Sequence, residues 1–358
     1  MKKNILVVDD SALMRRVICD IIQSDERFLV EDIAKDGMEA LELLKKKKYD
    51  AVVLDINMPR MTGLELLEAL QKEKIRAKVV MASTLTLDGA KETMQALELG
   101  AFDFVTKPGN FIEAKGENFK TELSRKVSEA VSAGNQIFKS APVMPRRTRP
   151  MPAAPSTSVQ NKGPKAGRKL IALACSTGGP KSLQSVVPYL PKNLDAPVLL
   201  VQHMPAGFTA TLAGRLNDLS QVTVKEAQEG DELVKGCVYI APGGKHLLCQ
   251  KTSSGHKIAL SDAPPRDALK PCANIMYESL VDSSFDEITC VVLTGMGSDG
   301  TKGIEKLATR KKLYVIAQDA ATCVVYGMPR SIAEAGLVNK VAPLQAVADE
   351  ITKNVGVY

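Results

Sequence analysis

The 358-residue sequence contains no tryptophan, and only 4% of its residues are aromatic, 8 Phe and 7 Tyr. Single-stranded nucleic acid is usually bound on aromatic side chains, and duplex DNA is usually read by a recognition helix. Neither feature is evident, and much of the net charge of +6 comes from one short basic stretch. We therefore do not expect this protein to bind nucleic acid.

The sequence also has no run of about 18 apolar residues, the length needed to span a bilayer. Residues 1–4 (Met-Lys-Lys-Asn) lead into a short apolar strand, which is not a signal-peptide pattern. The 7 cysteines lack the paired spacing of a zinc site and fit free thiols in a reducing compartment. These absences predict a cytoplasmic protein that is not inserted in a membrane. Its 358 residues, 45% hydrophobic and 25% charged, predict two globular domains.

The first part of the chain alternates short apolar runs with helical patterns, which predicts a parallel sheet covered by helices on both faces. The predicted strands cover residues 5–8, 29–34, 51–54, 79–81 and 102–105. Asp9 and Asp10 follow the first strand, and Asp55 follows the third. Because the carboxyl ends of parallel strands meet at one edge, these carboxylates converge, and Mg²⁺ is the kind of ion that stabilises such a cluster. The alternative is that they are ordinary turn residues.

This segment resembles the receiver domain of bacterial response regulators. The similarity is carried by Val-Asp-Asp-Ser at residues 8–11, Leu-Asp-Ile-Asn-Met-Pro from residue 54, Ser83, and Val-Thr-Lys-Pro ending at residue 108. The resemblance implies a flavodoxin-like fold in which a histidine kinase phosphorylates one aspartate and Mg²⁺ is bound beside it. The implied roles are phosphorylation at Asp55, Mg²⁺ ligation by Asp9, Asp10, Asp55 and the Asn57 backbone, phosphoryl contacts by Ser83 and Lys107, and a mobile aromatic ring at Phe104.

A last helix is predicted for residues 117–138, and the composition then changes. Residues 141–168 are rich in Pro, Lys and Arg and contain no acidic residue. Such a segment is unable to build a core, so we interpret it as a flexible tether, although its charge would also suit an anionic surface. The predicted domain organisation is residues 1–138, a linker at 139–168, and a second domain at 169–358.

In the second domain, three polar residues follow buried apolar runs: Ser176, His203 and Asp299. A serine nucleophile needs a base to take its proton, and the imidazole needs a carboxylate to fix its tautomer. These three positions supply all the roles at convergent strand ends. Taken alone, Ser176 would more commonly be interpreted as a helix N-cap than as a nucleophile or part of a phosphate-binding loop. His246 is a weaker candidate base, His256 is predicted to be exposed in a hairpin turn, and Cys175 is predicted to face inward.

A competing interpretation comes from residues 295–300, Gly-Met-Gly-Ser-Asp-Gly, which match the dinucleotide-binding fingerprint. The pattern follows a predicted strand, opens a helix, and has Asp319 at about the expected distance. The corresponding alternative is a response regulator whose second domain has no catalytic activity and only binds a nucleotide or a partner. However, the pattern stands late in its domain and leaves Ser176 and His203 unexplained.

The second domain resembles the catalytic domain of chemotaxis protein-glutamate methylesterases. The matching motifs are Cys-Ser-Thr-Gly-Gly-Pro from residue 175, Val-Gln-His-Met-Pro from residue 201, Leu-Thr-Gly-Met-Gly-Ser-Asp-Gly from residue 293 and Tyr-Gly-Met-Pro from residue 326. The resemblance implies that Ser176 is the nucleophile, His203 the base and Asp299 the orienting carboxylate, with the Met296 backbone N–H in the oxyanion hole. The stretch 263–280 follows the family pattern only loosely.

The resemblance implies substrates that are methyl-esterified glutamates on chemoreceptor helices, releasing methanol, and often glutamines that are deamidated. No cofactor is expected for this reaction. The predicted fold class is α/β, with two doubly wound parallel-sheet domains, a flavodoxin-like receiver and a Rossmann-like methylesterase domain, joined by a flexible linker. We also predict that the unphosphorylated receiver covers the Ser176 edge and that phosphorylation weakens this contact.

Overall fold

The structure, a computed structural model, describes residues 2–109, 113, 116–133 and 168–357. The predicted linker at 139–168 lies outside the described residues except for Arg168. No helix among the described residues is both long enough and apolar enough to cross a membrane. All 7 cysteines are free.

The first domain is a five-stranded parallel sheet in the order β2-β1-β3-β4-β5, flanked by helices. Its elements are β1 (Lys3–Val8), α1 (Ala12–Gln23), β2 (Phe28–Ala34), α2 (Gly37–Lys46), β3 (Ala51–Asp55), α3 (Gly63–Lys72), β4 (Val79–Thr84), α4 (Leu87–Glu98), β5 (Asp103–Lys107) and α5 (Glu117–Ser132). This is the flavodoxin-like order, whose direction reverses between β1 and β3, so the residues following these two strands share a crevice.

Local sequence explains where these helices begin and how they pack. Ser11 caps α1, Asp36 caps α2, and Thr62 forms a capping box with Glu65 at the start of α3. Helix α5 buries Leu123, Val127 and Ala130 at the predicted helical spacing. It ends at Ser132, earlier than the predicted end at residue 138, and residues 134–138 lie outside the described ones.

The second domain is a seven-stranded parallel sheet in the order β14-β13-β12-β6-β7-β9-β8, with an antiparallel hairpin of β10 and β11 beside it. Its first half contains β6 (Lys169–Cys175), α6 (Gly179–Gln184), β7 (Val198–Gln202), α7 (Phe208–Leu219), β8 (Thr223–Glu226), β9 (Cys237–Ile240), β10 (His246–Lys251) and β11 (His256–Ser261). Its second half contains α8 (Ala273–Ser279), β12 (Glu287–Val292), α9 (Thr301–Ala308), β13 (Lys312–Gln318), α10 (Met328–Glu334), β14 (Lys340–Ala342) and α11 (Val347–Val355).

The topology of this sheet places its ligand crevice at β6. The chain moves to one side of β6 to form β7 and to the other side to form β12, so the strand order reverses there. In open α/β sheets, ligands bind outside the carboxyl ends of the strands at such a reversal. Strands β6, β7 and β12 are almost wholly buried, which makes the edge at their ends a rigid platform. The predicted fold class, two parallel α/β sheets, is confirmed.

Candidate active site and acidic pocket

Ser176 and His203 follow adjacent residues of neighbouring strands. Cys175 and Gln202, the last residues of β6 and β7, are paired in register. The His203 N–H donates to the Cys175 carbonyl at 3.1 Å, which extends the ladder past the strand ends. Neighbouring strands lie about 4.8 Å apart, so the serine and the histidine stand side by side at the crevice.

Ser176 is not a helix cap. Helix α6 begins at Gly179 and its N-cap is Gly178, whose φ of 77° lies in the left-handed region that favours glycine. A Cβ atom on Gly178 would also lie 2.1 Å from the Val324 side chain. The Ser176 side chain is therefore free of a capping role, although the residue is only 4% exposed in this arrangement of the domains.

Asp299 is hydrogen-bonded to His203. The Asp299 Oδ2 atom lies 2.8 Å from His203 Nε2, and Asp299 is 7% exposed. With Nε2 engaged, Nδ1 is the ring nitrogen left to act on the serine. Among the described residues, no hydrogen bond joins Ser176 Oγ to His203, and such bonds often tighten only when substrate binds.

The N-terminal end of α8 holds the Asp299 carboxylate. The Ala273 N–H donates to Oδ2 at 2.6 Å, the Asn274 N–H donates to Oδ1 at 2.9 Å, and the Cys272 thiol lies 3.2 Å from Oδ1. Burial alone would raise the pKa of Asp299, but the hydrogen bond and charge of His203 and the two backbone N–H groups outweigh it and lower the pKa to about 2. Asp299 is therefore a carboxylate at neutral pH.

Asn274 also fixes the loop that carries Asp299. Its Oδ1 atom accepts the N–H groups of Gly300 at 3.0 Å and of Gly303 at 2.7 Å, the latter in the first turn of α9. These contacts were not predicted, because residues 263–280 follow the family pattern only loosely and no local motif marks them. Cys272, Ala273 and Asn274, with their contacts to Asp299, are the part of the site that was not predicted.

The glycines of the 295–303 stretch permit close packing around the serine. A Cβ atom on Gly295 would lie 2.8 Å from the Ser176 Cβ, and one on Gly303 would lie 2.7 Å from the Asn274 carbonyl oxygen. Met296, between the glycines, is 47% exposed at the crevice. Packing therefore accounts for Gly295, the first glycine of the fingerprint-like stretch, without a dinucleotide.

The other two histidines are buried away from this crevice. His246 is fully buried, with Nε2 3.1 Å from the Pro264 carbonyl oxygen. The predicted exposure of His256 is wrong: it is 9% exposed, stacks on Phe285 with a centroid distance of 4.2 Å, and accepts the Ser284 N–H at 3.0 Å. The hairpin turn at residues 252–255 precedes it, so His256 is the first residue of β11 and points into the core.

The three aspartates of the receiver form one cluster. Asp9, Asp10 and Asp55 each offer a carboxylate oxygen, and these oxygens lie within 4.8 Å of one another. Lys107 Nζ lies 2.6 Å from Asp9 and 2.8 Å from Asp55. Burial raises the pKa of Asp55 to about 6, although Lys107 acts against that rise. Burial would lower the pKa of Lys107, but the two carboxylates outweigh it and raise that pKa.

Ser83 and Asn57 have other partners in this structure. Ser83 is buried, with Oγ 2.7 Å from Thr93 Oγ1 and 3.1 Å from the Gly89 carbonyl oxygen, both in α4. The Asn57 side chain donates to Glu92 at 3.0 Å. The Ser83 hydroxyl thus bonds to α4 rather than to Asp55.

The receiver packs against the catalytic sheet beside Ser176. The ring of Phe104 in β5 packs at a tilt of 33° against the ring of Phe208 in α7, with a centroid distance of 4.6 Å. Glu98 of α4 pairs with Arg215 of α7 at 2.7 Å. In the residue next to the candidate nucleophile, the Thr177 hydroxyl donates to Glu129 of α5 at 2.5 Å. The two domains therefore meet at the loop that carries the candidate nucleophile.

Two family models match this chain. Residues 171–351 match the family model described as CheB methylesterase, and residues 5–115 match the response regulator receiver domain. A protein-glutamate methylesterase/protein-glutamine glutaminase of Bacillus subtilis is 40% identical over 351 residues, covering 97% of both chains. Its counterpart in Symbiobacterium thermophilum is 41% identical, covering 98% of this chain and 97% of that one.

A solved structure adds the fold of the second domain. The crystal structure of the Thermotoga maritima CheB methylesterase catalytic domain is 40% identical, covers 52% of this chain and 99% of that chain, and superposes with a TM-score of 0.51. The class is thus a response regulator whose output domain is an enzyme. Within that class, the chain belongs to the CheB methylesterase family. The nucleotide-binding alternative has no support among these relatives.

Proposed function

We propose that this chain is a phosphorylation-regulated hydrolase of chemotaxis adaptation, which demethylates glutamate methyl esters in chemoreceptors and deamidates receptor glutamines. The observation that carries the proposal is the placement of Ser176, His203 and Asp299 at the ends of three adjacent strands, with His203 bonded to Asp299 at 2.8 Å. This arrangement suits acyl transfer. Family membership supports the same reaction class.

In the proposed mechanism, Nδ1 of His203 removes the proton from Ser176 Oγ, which attacks the γ-carbonyl carbon of the substrate. Asp299 holds the imidazole through Nε2 and stabilises its positive charge. The backbone N–H of Met296 is the proposed oxyanion donor. His203 then protonates the leaving group, so that methanol or ammonia departs. Water hydrolyses the serine ester and leaves a glutamate carboxylate.

The acidic pocket of the receiver is the proposed phosphorylation site, with a chemotaxis histidine kinase as the phosphodonor and Asp55 as the acceptor. Its oxygen donors fit Mg²⁺, which prefers carboxylate ligands. Asp9, Asp10, Asp55 and the Asn57 backbone would hold the ion, which when bound would neutralise part of the negative charge there. Lys107 and Ser83 are the proposed contacts of the phosphoryl oxygens. We expect no cofactor at the esterase site.

Regulation is proposed to act through the contact between the domains. A phosphoryl group adds nearly two negative charges at Asp55 and would draw Lys107 and the Ser83 hydroxyl toward it. Ser83 would then leave its bonds with α4, and Phe104 on the neighbouring strand would lose its place against Phe208. The receiver would separate from the Ser176 crevice and admit substrate. The proposed compartment is the cytoplasm, in keeping with the free cysteines.

The reaction is tested by mass spectrometry of receptor fragments that contain both glutamate methyl esters and glutamines. The full-length protein should remove one methylene mass per ester and convert glutamine to glutamate, and the Ser176→Ala variant should do neither. Equal conversion by the two proteins would remove Ser176 from the nucleophile's role. Absence of any conversion by the phosphorylated wild-type protein would contradict the proposed function itself.

A further inference from the structure

The receiver places a glutamate against Thr177, the residue that follows the candidate nucleophile. Glu129 lies in α5, is 2% exposed, and its Oε2 accepts a hydrogen bond of 2.5 Å from Thr177 Oγ1. Thr177 is the residue after Ser176 and is 1% exposed. The other carboxylate oxygen of Glu129 accepts from Arg125 at 2.5 Å, one turn earlier in the same helix. A helix of the receiver thus carries a glutamyl side chain into the loop of the nucleophile.

The hydrogen bond has a defined direction. Lys126 Nζ lies 3.2 Å from Thr177 Oγ1, and an ammonium group is only a donor, so the hydroxyl accepts from Lys126 and gives its own proton to Glu129. Lys126 is also paired with Asp103 inside the receiver. On the catalytic side, the Thr177 carbonyl accepts from Thr294 Oγ1 at 3.0 Å, which anchors the backbone of Thr177. The Thr177 hydroxyl is therefore a fixed donor aimed at a carboxylate.

A hydroxyl is a suitable donor for every form of the substrate. The proposed reaction begins with a neutral ester or amide at the end of a glutamyl side chain and ends with a carboxylate. A cationic partner would bind the charged product more tightly than the neutral substrate and would therefore retard turnover. A neutral donor forms a hydrogen bond with the ester, the amide and the carboxylate alike. Among the described residues of the catalytic domain, the group that forms a hydrogen bond with Glu129 is the Thr177 hydroxyl, not a lysine or an arginine. By contrast, Glu98 of the receiver pairs with an arginine of the catalytic domain, Arg215.

We propose that Thr177 is a substrate-binding residue, whose hydroxyl holds the γ-carbonyl group of the receptor's glutamyl side chain, and that Glu129 occupies this position in the closed enzyme as a product-like stand-in. This inference rests on the proposed function of Ser176. It assigns specificity for a glutamyl side chain to a named group. It also gives the closed state a second effect besides steric cover, since Glu129 competes with the substrate for the same donor.

The test uses the full-length Glu129→Gln variant, which places a substrate-like amide at this position. Ser176 Oγ would bond to the residue-129 amide carbon, the C–N bond would break with release of ammonia, and water would hydrolyse the ester to restore a glutamate. Peptide mass spectrometry should detect this conversion. This conversion should be absent from the Glu129→Gln protein that also carries Ser176→Ala. The glutamine at residue 122 in the matched variant Glu122→Gln, on the same helix, should also remain an amide.

The outcomes separate the inference from the proposed function. If the Glu129→Gln protein deamidates receptor glutamines but leaves its own residue 129 an amide, the inference is overturned. If the variant converts neither receptor glutamines nor its own residue 129, and the phosphorylated wild-type protein is also inactive on receptor glutamines, the proposed function fails and the inference fails with it. Conversion at residue 129 that persists with Ser176→Ala would also contradict the inference, because it would not need the active site.

A second measurement does not depend on the domain contact. In the phosphorylated full-length protein, Thr177→Val should reduce kcat/KM for the methyl ester about 2- to 10-fold, mainly by raising KM, as expected for one neutral hydrogen bond. Thr177→Ser keeps the hydroxyl and should restore the wild-type KM. An unchanged KM for Thr177→Val, or a serine variant as impaired as the valine variant, would overturn the substrate-binding role.

Discussion

Replacing Asp299 by asparagine is a sharp test of the site, because its carboxylate is surrounded by donors. Oδ2 faces His203 Nε2 at 2.8 Å and the Ala273 N–H at 2.6 Å, while Oδ1 faces the Asn274 N–H at 2.9 Å. An asparagine side chain has one oxygen and one NH₂ group in these places. Either orientation therefore directs an NH₂ group at a backbone N–H of α8.

Two effects of Asp299→Asn follow from this geometry. A buried N–H left without an acceptor costs about 1–3 kcal/mol, so the melting temperature of the catalytic domain should fall by about 2–10 °C. Loss of the carboxylate also removes the group that fixes the histidine tautomer, and in a serine triad this costs about 10⁴ in kcat. The rate effect is thus far larger than the stability effect, and partial unfolding at the assay temperature is unable to account for it.

The assay is the initial rate of methanol release from methylated receptor fragments, with melting followed by circular dichroism because the chain has no tryptophan. Asp282→Asn is the matched control, since Asp282 is exposed and should change neither quantity. A rate for Asp299→Asn within about tenfold of the wild type, well short of the loss expected for a triad carboxylate, would refute its role as the orienting group of His203.

Three further predictions concern the receiver. Because the pKa of Asp55 is raised from 3.8 to about 6 in the folded state, its contribution to stability is full below pH 3.8 and is lost as pH rises through about 6. The melting temperature of the receiver, measured by calorimetry, should therefore fall between about pH 4 and about pH 6, and Asp55→Asn should remove this fall. An unchanged slope in the variant would be inconsistent with the raised pKa. Mg²⁺ at pH 8 should raise the melting temperature of the wild type, and it should raise that of the Asp10→Asn variant much less. Equal shifts in the two proteins would argue against the acidic pocket as the metal site. Arg215→Glu should raise the rate of methanol release without phosphodonor about 2- to 5-fold, since a partly exposed ion pair contributes up to about 1 kcal/mol. Adding Glu98→Lys to the same chain should reverse this rise. A basal rate that does not change in Arg215→Glu would count against the covering role of the receiver.

The positions of the site residues were predictable because parallel strands impose them. A buried apolar run followed at once by a polar residue places that residue at the carboxyl edge, and the register of Cys175 with Gln202 then puts Ser176 beside His203. The same rule placed Asp9, Asp10 and Asp55 together. In both domains the sheet does the positioning, so local sequence was sufficient for these residues.

Contacts made by irregular or distant segments were not predictable. The N–H groups of Ala273 and Asn274 reach Asp299 from a stretch without periodicity, and nothing local marks them as partners. His256 looked exposed beside a polar turn, but tertiary packing on Phe285 buries it. The bond between Glu129 and Thr177 depends on how two separately folded domains meet, which a pattern within either domain does not encode.

The most direct test of the central claim is the initial rate of methanol release by the full-length protein and by its Ser176→Ala variant, each with and without acetyl phosphate and Mg²⁺. The account predicts a low rate for the wild type that rises on addition of the phosphodonor, and no rate above background for the variant under either condition. Methanol release by the Ser176→Ala variant at the wild-type rate would contradict the account. Methanol release by the wild-type protein only in the absence of phosphodonor would contradict it as well.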